Sequence, residues 1–279
     1  MFGCASRGPA GVKVAMSRNH NTGAFGRSLP EIIEESIAIL RQDASEYAFI
    51  GLVGAFAACM AVLVPGLIGG PIAVALIGPL LVIIAALTLA TSAAALGVGA
   101  NQLQPDASRA FAAAGLRIVA ILRPWLPLAV ALGAASYAAD AYSSYLGPVP
   151  PEVIILGLAL ISGAYALPRS LCSTALFEHD LSAREALSAS AALVRSATRT
   201  IAIAWGVVLA PAIVIALLGG LAGIDAATGA MIAVLFVGAM PVGAALMSQL
   251  FIDAASHVEA PPEPAPAKHG KRAAAHRRA

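Results

Sequence analysis

Long apolar runs alternate with short polar segments along this chain. From Tyr47 to Pro105 there is no Asp, Glu, Lys or Arg, which is enough chain for two bilayer crossings of roughly 20 residues each. Continuously apolar runs of this length predict transmembrane helices. We expect six spans: Tyr47–Ile68, Ile72–Gly99, Pro124–Leu146, Val153–Phe177, Thr200–Leu221 and Ala226–Ile252.

The positive charges lie on one side of these six runs. The turns Val64–Pro71, Gly147–Glu152 and Ala222–Thr228 contain none of the 17 Lys and Arg residues, and the opposite side holds them all. Because short cytoplasmic loops are enriched in Lys and Arg, this distribution predicts that both termini lie in the cytoplasm. Composition agrees with a lipid environment, since 59% of the residues are hydrophobic and only 11% are charged.

Three amphipathic segments precede the three predicted hairpins. Ser28 with Glu31 and Ser182 with Glu185 have the spacing of capping boxes, and the two serines are 154 residues apart. A weaker third copy begins near Asp106. The predicted fold is therefore an all-α polytopic membrane protein with six transmembrane helices, built as three repeats of an amphipathic interface helix plus a transmembrane hairpin. The amphipathic helices lie along the membrane interface or pack on one another as a cytoplasmic layer.

The predicted membrane domain covers residues 28–257. Residues 1–27 are expected to be a disordered cytoplasmic segment, with Met1 and Met16 both plausible starts. Residues 258–279 form a Pro/Ala-rich and then basic tail, expected to be disordered and attracted to anionic lipid headgroups rather than to nucleic acid.

Two intramembrane polar features are candidate functional sites. Near the end of the third span, Tyr137, Asp140 and Ser144 follow the one-face spacing of a helix. Arg169 is a second embedded charge, for which Glu178 or Asp180 is a candidate partner. Ionisable residues in a span are functional hypotheses. The alternatives are a polar belt at the outer interface for the first feature and an arginine whose side chain reaches the interface for the second.

No motif for catalysis or cofactor binding is found in the sequence. It contains no nucleophile elbow, Walker loop, dinucleotide fingerprint or zinc-protease motif. The cysteines Cys4, Cys59 and Cys172 are too scattered to predict a metal site, and His179 between two acids is poorly arranged to bind one. We therefore expect no cofactor, no metal and no enzymatic activity.

Residues Ala166–Leu209 (ALPRSLCSTALFEHDLSAREALSASAALVRSATRTIAIAWGVVL) resemble a known family. The segment is similar to the membrane domain found with bacterial glycerophosphoryl diester phosphodiesterases and to its stand-alone relatives. The matching positions are Ala186, Leu187, Ser190, Leu193 and Arg195, with Trp205 in the next span, whereas Ala191 replaces an expected aromatic residue. The family's soluble catalytic barrel is absent, so the resemblance does not imply hydrolase activity.

The resemblance implies a multi-pass protein of the bacterial inner membrane. We expect a non-catalytic scaffold that interacts with membrane lipids or with a protein partner, which includes a second copy of the chain. The alternative is a small transporter or permease component with a path near Asp140. An intramembrane lipid enzyme is a third class, but it needs convergent catalytic groups that the sequence does not contain.

The orientation predicts the outcome of reporter fusions. A reporter enzyme active only outside the cytoplasm should be active when it is fused after Gly70, Pro148 or Ala226, because these positions lie in turns without Lys or Arg. The same reporter fused after His257 should be inactive. Activity only in the last fusion would overturn the six-span topology.

Overall fold

The computed structural model describes residues 26–101, 106–146, 163–178, 181–222 and 226–259, and every regular element in these ranges is helical. The main elements are α1 (Leu29–Gln42), α2 (Ala44–Ile68), α3 (Pro71–Asn101), α4 (Ala107–Leu116), α5 (Ile118–Leu122), α6 (Leu126–Leu146), a 3-10 turn (Leu167–Arg169), α7 (Cys172–Glu178), α8 (Ala183–Ala222), α9 (Ala226–Ala233), a π-helical segment (Val234–Ala239) and α10 (Met240–Glu259). The predicted fold class, all-α, is confirmed for this part of the chain.

Four helical stretches in the described ranges are long and apolar enough to cross a membrane. They are Ala44–Ile68, Ala75–Gly97, Ala183–Ile215 and Gly229–Ala254. These correspond to predicted spans one, two, five and six. In the predicted third span the apolar helix Leu126–Ala138 is shorter. Residues 153–162 of the predicted fourth span, Val153–Phe177, lie outside the described residues. Six spans are therefore not confirmed.

The three predicted amphipathic helices are present and begin where their capping residues predict. The backbone N–H of Ser28 donates to Glu31 over 2.8 Å, and that of Ser182 donates to Glu185 over 3.0 Å. Asp106 accepts the N–H of Ser108 over 2.8 Å. These side chains satisfy amides that have no partner in the first turn of a helix, which fixes where each helix starts.

Each amphipathic helix ends at a similar backbone break. Asp43 follows α1 with φ −130° and ψ 41°, and Ala197 interrupts α8 with φ −133° and ψ 31°. The two breaks are separated by the same 154 positions as Ser28 and Ser182. Arg117 follows α4 with φ −110° and ψ 15°, and α4 has 10 residues where α1 has 14. The breaks at Asp43 and Ala197 therefore have similar backbone angles at the same sequence offset, and α4 is about one turn shorter than α1.

The bundle places small side chains inside and large apolar ones outside. On α2, Gly51, Gly54 and Ala58 are buried, whereas Phe56 and Leu67 are 66% and 87% exposed. Ala75–Gly97 and Gly229–Ala254 lie more deeply in the bundle than Ala183–Ile215, since 56% of the most apolar part of each is buried, against 22%. Exposed apolar side chains and close-packed small residues are typical of helices that associate in lipid.

The helical stretch that contains Pro241 has an irregular turn just before this proline. Residues Val234–Ala239 are π-helical, and Met240 N–H donates to Leu235, five residues earlier. Proline removes a backbone donor and clashes with the preceding turn of an α-helix, so a wider turn ahead of Pro241 relieves the conflict. Gly51 packs against this segment, where a Cβ would lie 2.6 Å from Val237 Cα and 2.7 Å from Phe236 O.

This contact predicts a position-specific effect of adding one methyl group to α2. Gly51→Ala should lower the free energy of unfolding by about 1–3 kcal/mol, because the methyl group would push against backbone. Gly66→Ala on the same helix is the matched control, since nothing lies within 4 Å of its Cβ position. Reversible unfolding in mixed detergent and SDS micelles measures both variants. Equal stability of the two would contradict the close approach of α2 to the π-helical segment.

Candidate functional site

The sequence-predicted polar residues occupy two separate places. Tyr137, Asp140 and Ser144 lie on α6, and Tyr137 is 50% exposed. The side chains of Asp140 and Ser144 lie outside the described part of the structure. At roughly 1.5 Å per residue, Asp140 is about 21 Å along the helix axis from Leu126, where α6 begins. Arg169 lies at the Leu126 end, so these four residues do not form one site.

Arg169 is held by Tyr165, one helical turn earlier. The guanidinium carbon lies 3.5 Å from the centre of the Tyr165 ring, and Nη1 donates to the Tyr165 carbonyl over 2.7 Å. The Tyr165 hydroxyl donates to the carbonyl of Pro124 over 2.8 Å. Tyr165 therefore fixes Arg169 at the level where α6 begins. A pairing of Arg169 with Glu178 or Asp180 concerns side chains outside the described residues.

A broken turn follows Tyr165 in the chain. Leu167–Arg169 is a 3-10 turn that contains Pro168, and α7 begins only at Cys172. Ser190 of α8 repairs this break, because its hydroxyl donates to Pro168 O over 2.8 Å and accepts Leu171 N–H over 3.2 Å. Ser190 is fully buried, so it supplies partners that water does not. Ser190, one of the positions that carry the family resemblance, therefore joins the amphipathic part of α8 to the broken turn.

Arg117 performs a related role at the other end of α7. Its Nη1 donates to the carbonyl of Leu176, and its guanidinium lies 5.6 Å from the centre of the Phe177 ring. Cations near the last carbonyls of a helix stabilise its negative end. Arg117 thereby connects the break after α4 to the C-terminal end of α7.

A charged cluster around Asp253 is absent from the sequence-based predictions. Asp253 is 5% exposed and accepts Gly26 N–H over 2.8 Å and Arg27 Nε over 3.0 Å. The Arg27 guanidinium also contacts Glu35 and, over 3.4 Å, Gln249. The pKa of Arg27 is raised above its usual value, first by the hydrogen bond to Asp253, so Arg27 stays charged. The sequence does contain one sign of this cluster, the acid Asp253 at the end of the last apolar run, because an acid in such a place requires a partner. The sequence does not show which residue that partner is, since Arg27 is 226 residues away.

The interior polar groups of the bundle are mainly hydroxyls. Thr88 donates to Ile84 O and Thr91 donates to Leu87 O, each within α3. In the described ranges, Ser92 Oγ and Trp205 Nε1 are buried without a hydrogen-bond partner. No group of three or more His, Cys, Asp or Glu residues that could hold a metal is found among the residues the structure describes. Nucleophile, base and orienting partner are not brought together there.

In comparisons with known proteins, no family model, no curated protein and no solved structure matches this chain. The part of the chain that the structure describes is all-helical and contains four helices whose length and composition suit a membrane, which is the class of protein that the fold defines. The similarity of Ala166–Leu209 to the phosphodiesterase membrane domain stays a prediction.

The role of Ser190 predicts a specific loss of stability. Ser190→Ala should lower the free energy of unfolding by about 1–3 kcal/mol, because it leaves the buried Leu171 N–H and Pro168 C=O without a partner. Ser188→Ala is the matched control: Ser188 is exposed and bonds only to Glu185 O, so its change should be within about 0.5 kcal/mol. Reversible unfolding in mixed detergent and SDS micelles measures the free energy of unfolding of both variants and of the wild type. The interpretation fails if Ser190→Ala is as stable as the control.

Proposed function

We propose that this chain is a non-catalytic scaffold of the bacterial inner membrane that interacts with lipids or with a protein partner. Its proposed arrangement is multi-pass, with both termini in the cytoplasm and three repeated units. The proposed relative is the membrane domain found with glycerophosphoryl diester phosphodiesterases. The proposal needs no cofactor, and nucleic acid is not a partner.

The observation that carries the proposal is the separation of charge from the bundle interior. The helices pack through alanine, glycine and hydroxyl side chains, and Thr88 and Thr91 bond to carbonyls of their own helix. Six arginines are exposed at and beyond the amphipathic helices: Arg41, Arg109, Arg123, Arg184, Arg195 and Arg199. Among the described residues, the buried carboxylate Asp253 is paired with Arg27 near the end of α10, and no other ion pair lies inside the bundle. Charge concentrated at a cationic surface suits a protein that acts through its outside, at anionic headgroups or on a partner.

The packing of the amphipathic helices supports a rigid cationic surface. Helix α1 packs on α10, α4 packs on α3, and α8 packs on the broken turn and α7. Each of these helices therefore packs on another helical segment of the bundle. The Asp253 cluster adds an ion pair that joins Arg27, just before α1, to α10. The exposed arginines therefore project from helices that are held by the bundle.

The alternative, a small transporter, is favoured by one observation. The interrupted helix at Leu167–Arg169 has buried polar residues beside it, Ser170, Ser173 and Thr174. Broken helices in membrane proteins line binding sites when they face a water-filled cavity, and they serve packing when they are buried in protein. The two functions thus differ in whether water reaches this segment.

Cys172 offers a direct measurement of water access, because it is 2% exposed and begins α7 immediately after the break. In a variant whose only cysteine is Cys172 (Cys4→Ser, Cys59→Ala), a membrane-impermeant maleimide should not label the protein in sealed or opened vesicles. Labelling should occur only after denaturation in SDS.

The matched control is Ser188→Cys in a background without other cysteines, since Ser188 is exposed on the amphipathic part of α8. This residue should react rapidly in the folded protein. Labelling of Cys172 at a rate comparable with that control would refute the closed scaffold and support a water-filled path.

A further inference from the structure

We infer that Arg169, stacked on Tyr165, forms together with Arg123 a binding site for the phosphate of an anionic lipid headgroup. The inference rests on the proposed lipid-interacting function and gives it a location. Two cations on different segments are brought to one level of the bundle by a single hydrogen bond, from the Tyr165 hydroxyl to Pro124 O, next to Arg123.

The guanidinium of Arg169 is oriented but incompletely hydrogen-bonded. One face lies on the Tyr165 ring and Nη1 donates to Tyr165 O. Within the described ranges, Nε is buried without an acceptor, and no partner is found for Nη2. Because Nη1 is taken by a carbonyl and Nε is buried, Nη2 is the donor of this charged group that remains for an anionic oxygen.

Protein carboxylates do not supply that oxygen in the part of the chain the structure describes. The ion pairs found there involve Arg27 with Glu35 and Asp253, and Arg109 with Asp106. Neither Arg169 nor Arg123 takes part in them. Arg123 is exposed and follows the short helix α5, whose backbone it continues by donating its N–H to Val119 O over 3.0 Å.

The surroundings of Arg123 favour a lipid over a free anion. Val119, one turn before it, is 76% exposed, and Leu126, three residues after it, is 47% exposed. Trp125, an amphipathic ring of the kind found at membrane interfaces, lies between Arg123 and Leu126. Cations flanked by exposed apolar side chains match a molecule with a phosphate and acyl chains. Guanidinium groups also bind phosphate oxygens through paired N–H donors.

The test is lipid binding by the full-length protein in neutral detergent. The protein is titrated with phosphatidylglycerol, phosphatidylcholine or inorganic phosphate, and binding is measured by native mass spectrometry or by the increase in melting temperature. Phosphatidylglycerol should bind more tightly than phosphatidylcholine, and inorganic phosphate alone should give no comparable stabilisation. Equal stabilisation by inorganic phosphate would identify a free-anion site and overturn the lipid assignment.

Four variants locate the site. Arg169→Gln and Arg123→Gln should each weaken phosphatidylglycerol binding by about tenfold or more, the effect expected of a lost charge-assisted hydrogen bond. Arg195→Gln is the comparison for losing one exposed charge elsewhere on the cationic surface, because Arg195 is also exposed but its Nε donates to Ala191 O in its own helix. Its affinity should change less than about twofold. Tyr165→Leu removes the stacking platform and should weaken binding without removing a charge.

The outcomes separate this site from the broader proposal. If wild type prefers phosphatidylglycerol but Arg169→Gln and Arg123→Gln bind it like Arg195→Gln, the site is wrong and the lipid-interacting function stands. If wild type shows no preference for phosphatidylglycerol, both fall. Should Arg169→Gln not fold, Arg123→Gln decides, because Arg123 is exposed and its side chain makes no contact that folding requires within the described ranges.

Discussion

The need to pair every backbone N–H and C=O inside the protein governs this structure. Lipid offers no substitute partner, so backbone groups at breaks and helix starts are paired by side chains or by a locally wider turn. Ser190 repairs the broken turn at Pro168, Glu46 accepts Ala107 N–H over 3.0 Å where α4 starts, and Asp253 accepts Gly26 N–H ahead of α1. These side chains come from distant elements, so the repairs also decide which helices lie together.

Helix association in this bundle depends on how closely backbones can approach. Gly51 lets α2 contact the π-helical segment at Phe236 and Val237, and Gly243 lets α10 contact the Trp205 ring, whose nearest atoms lie 3.0 Å from the Cβ position. Lipid gives no hydrophobic drive for helices to associate, so dispersion between close surfaces replaces it. The small residues on the inner face of α2 allow this close approach, and the large apolar residues on its outer face suit contact with lipid.

The features that sequence predicted well are local. Capping at Ser28, Asp106 and Ser182 depends on residues within one turn, and the apolar runs depend on composition, so both were predictable. The Arg27–Asp253 pair was not predictable, because it joins residues 226 apart and depends on how α1 packs on α10. The π-helical segment and the repair by Ser190 were missed for another reason. Proline predicts a disturbance of the helix, but neighbouring helices determine how it is resolved.

Three arginines show how a ligand site differs from a structural contact. Arg27 donates to a buried carboxylate, and Arg117 donates to the carbonyl at the end of α7 while its guanidinium lies near the Phe177 ring. Arg169 shares the aromatic neighbour and the carbonyl, but it lacks an anion within the described structure and has a buried Nε without an acceptor. The protein pairs Arg27 with a carboxylate, and at Arg169 a headgroup phosphate would supply the counter-charge that the described residues do not provide.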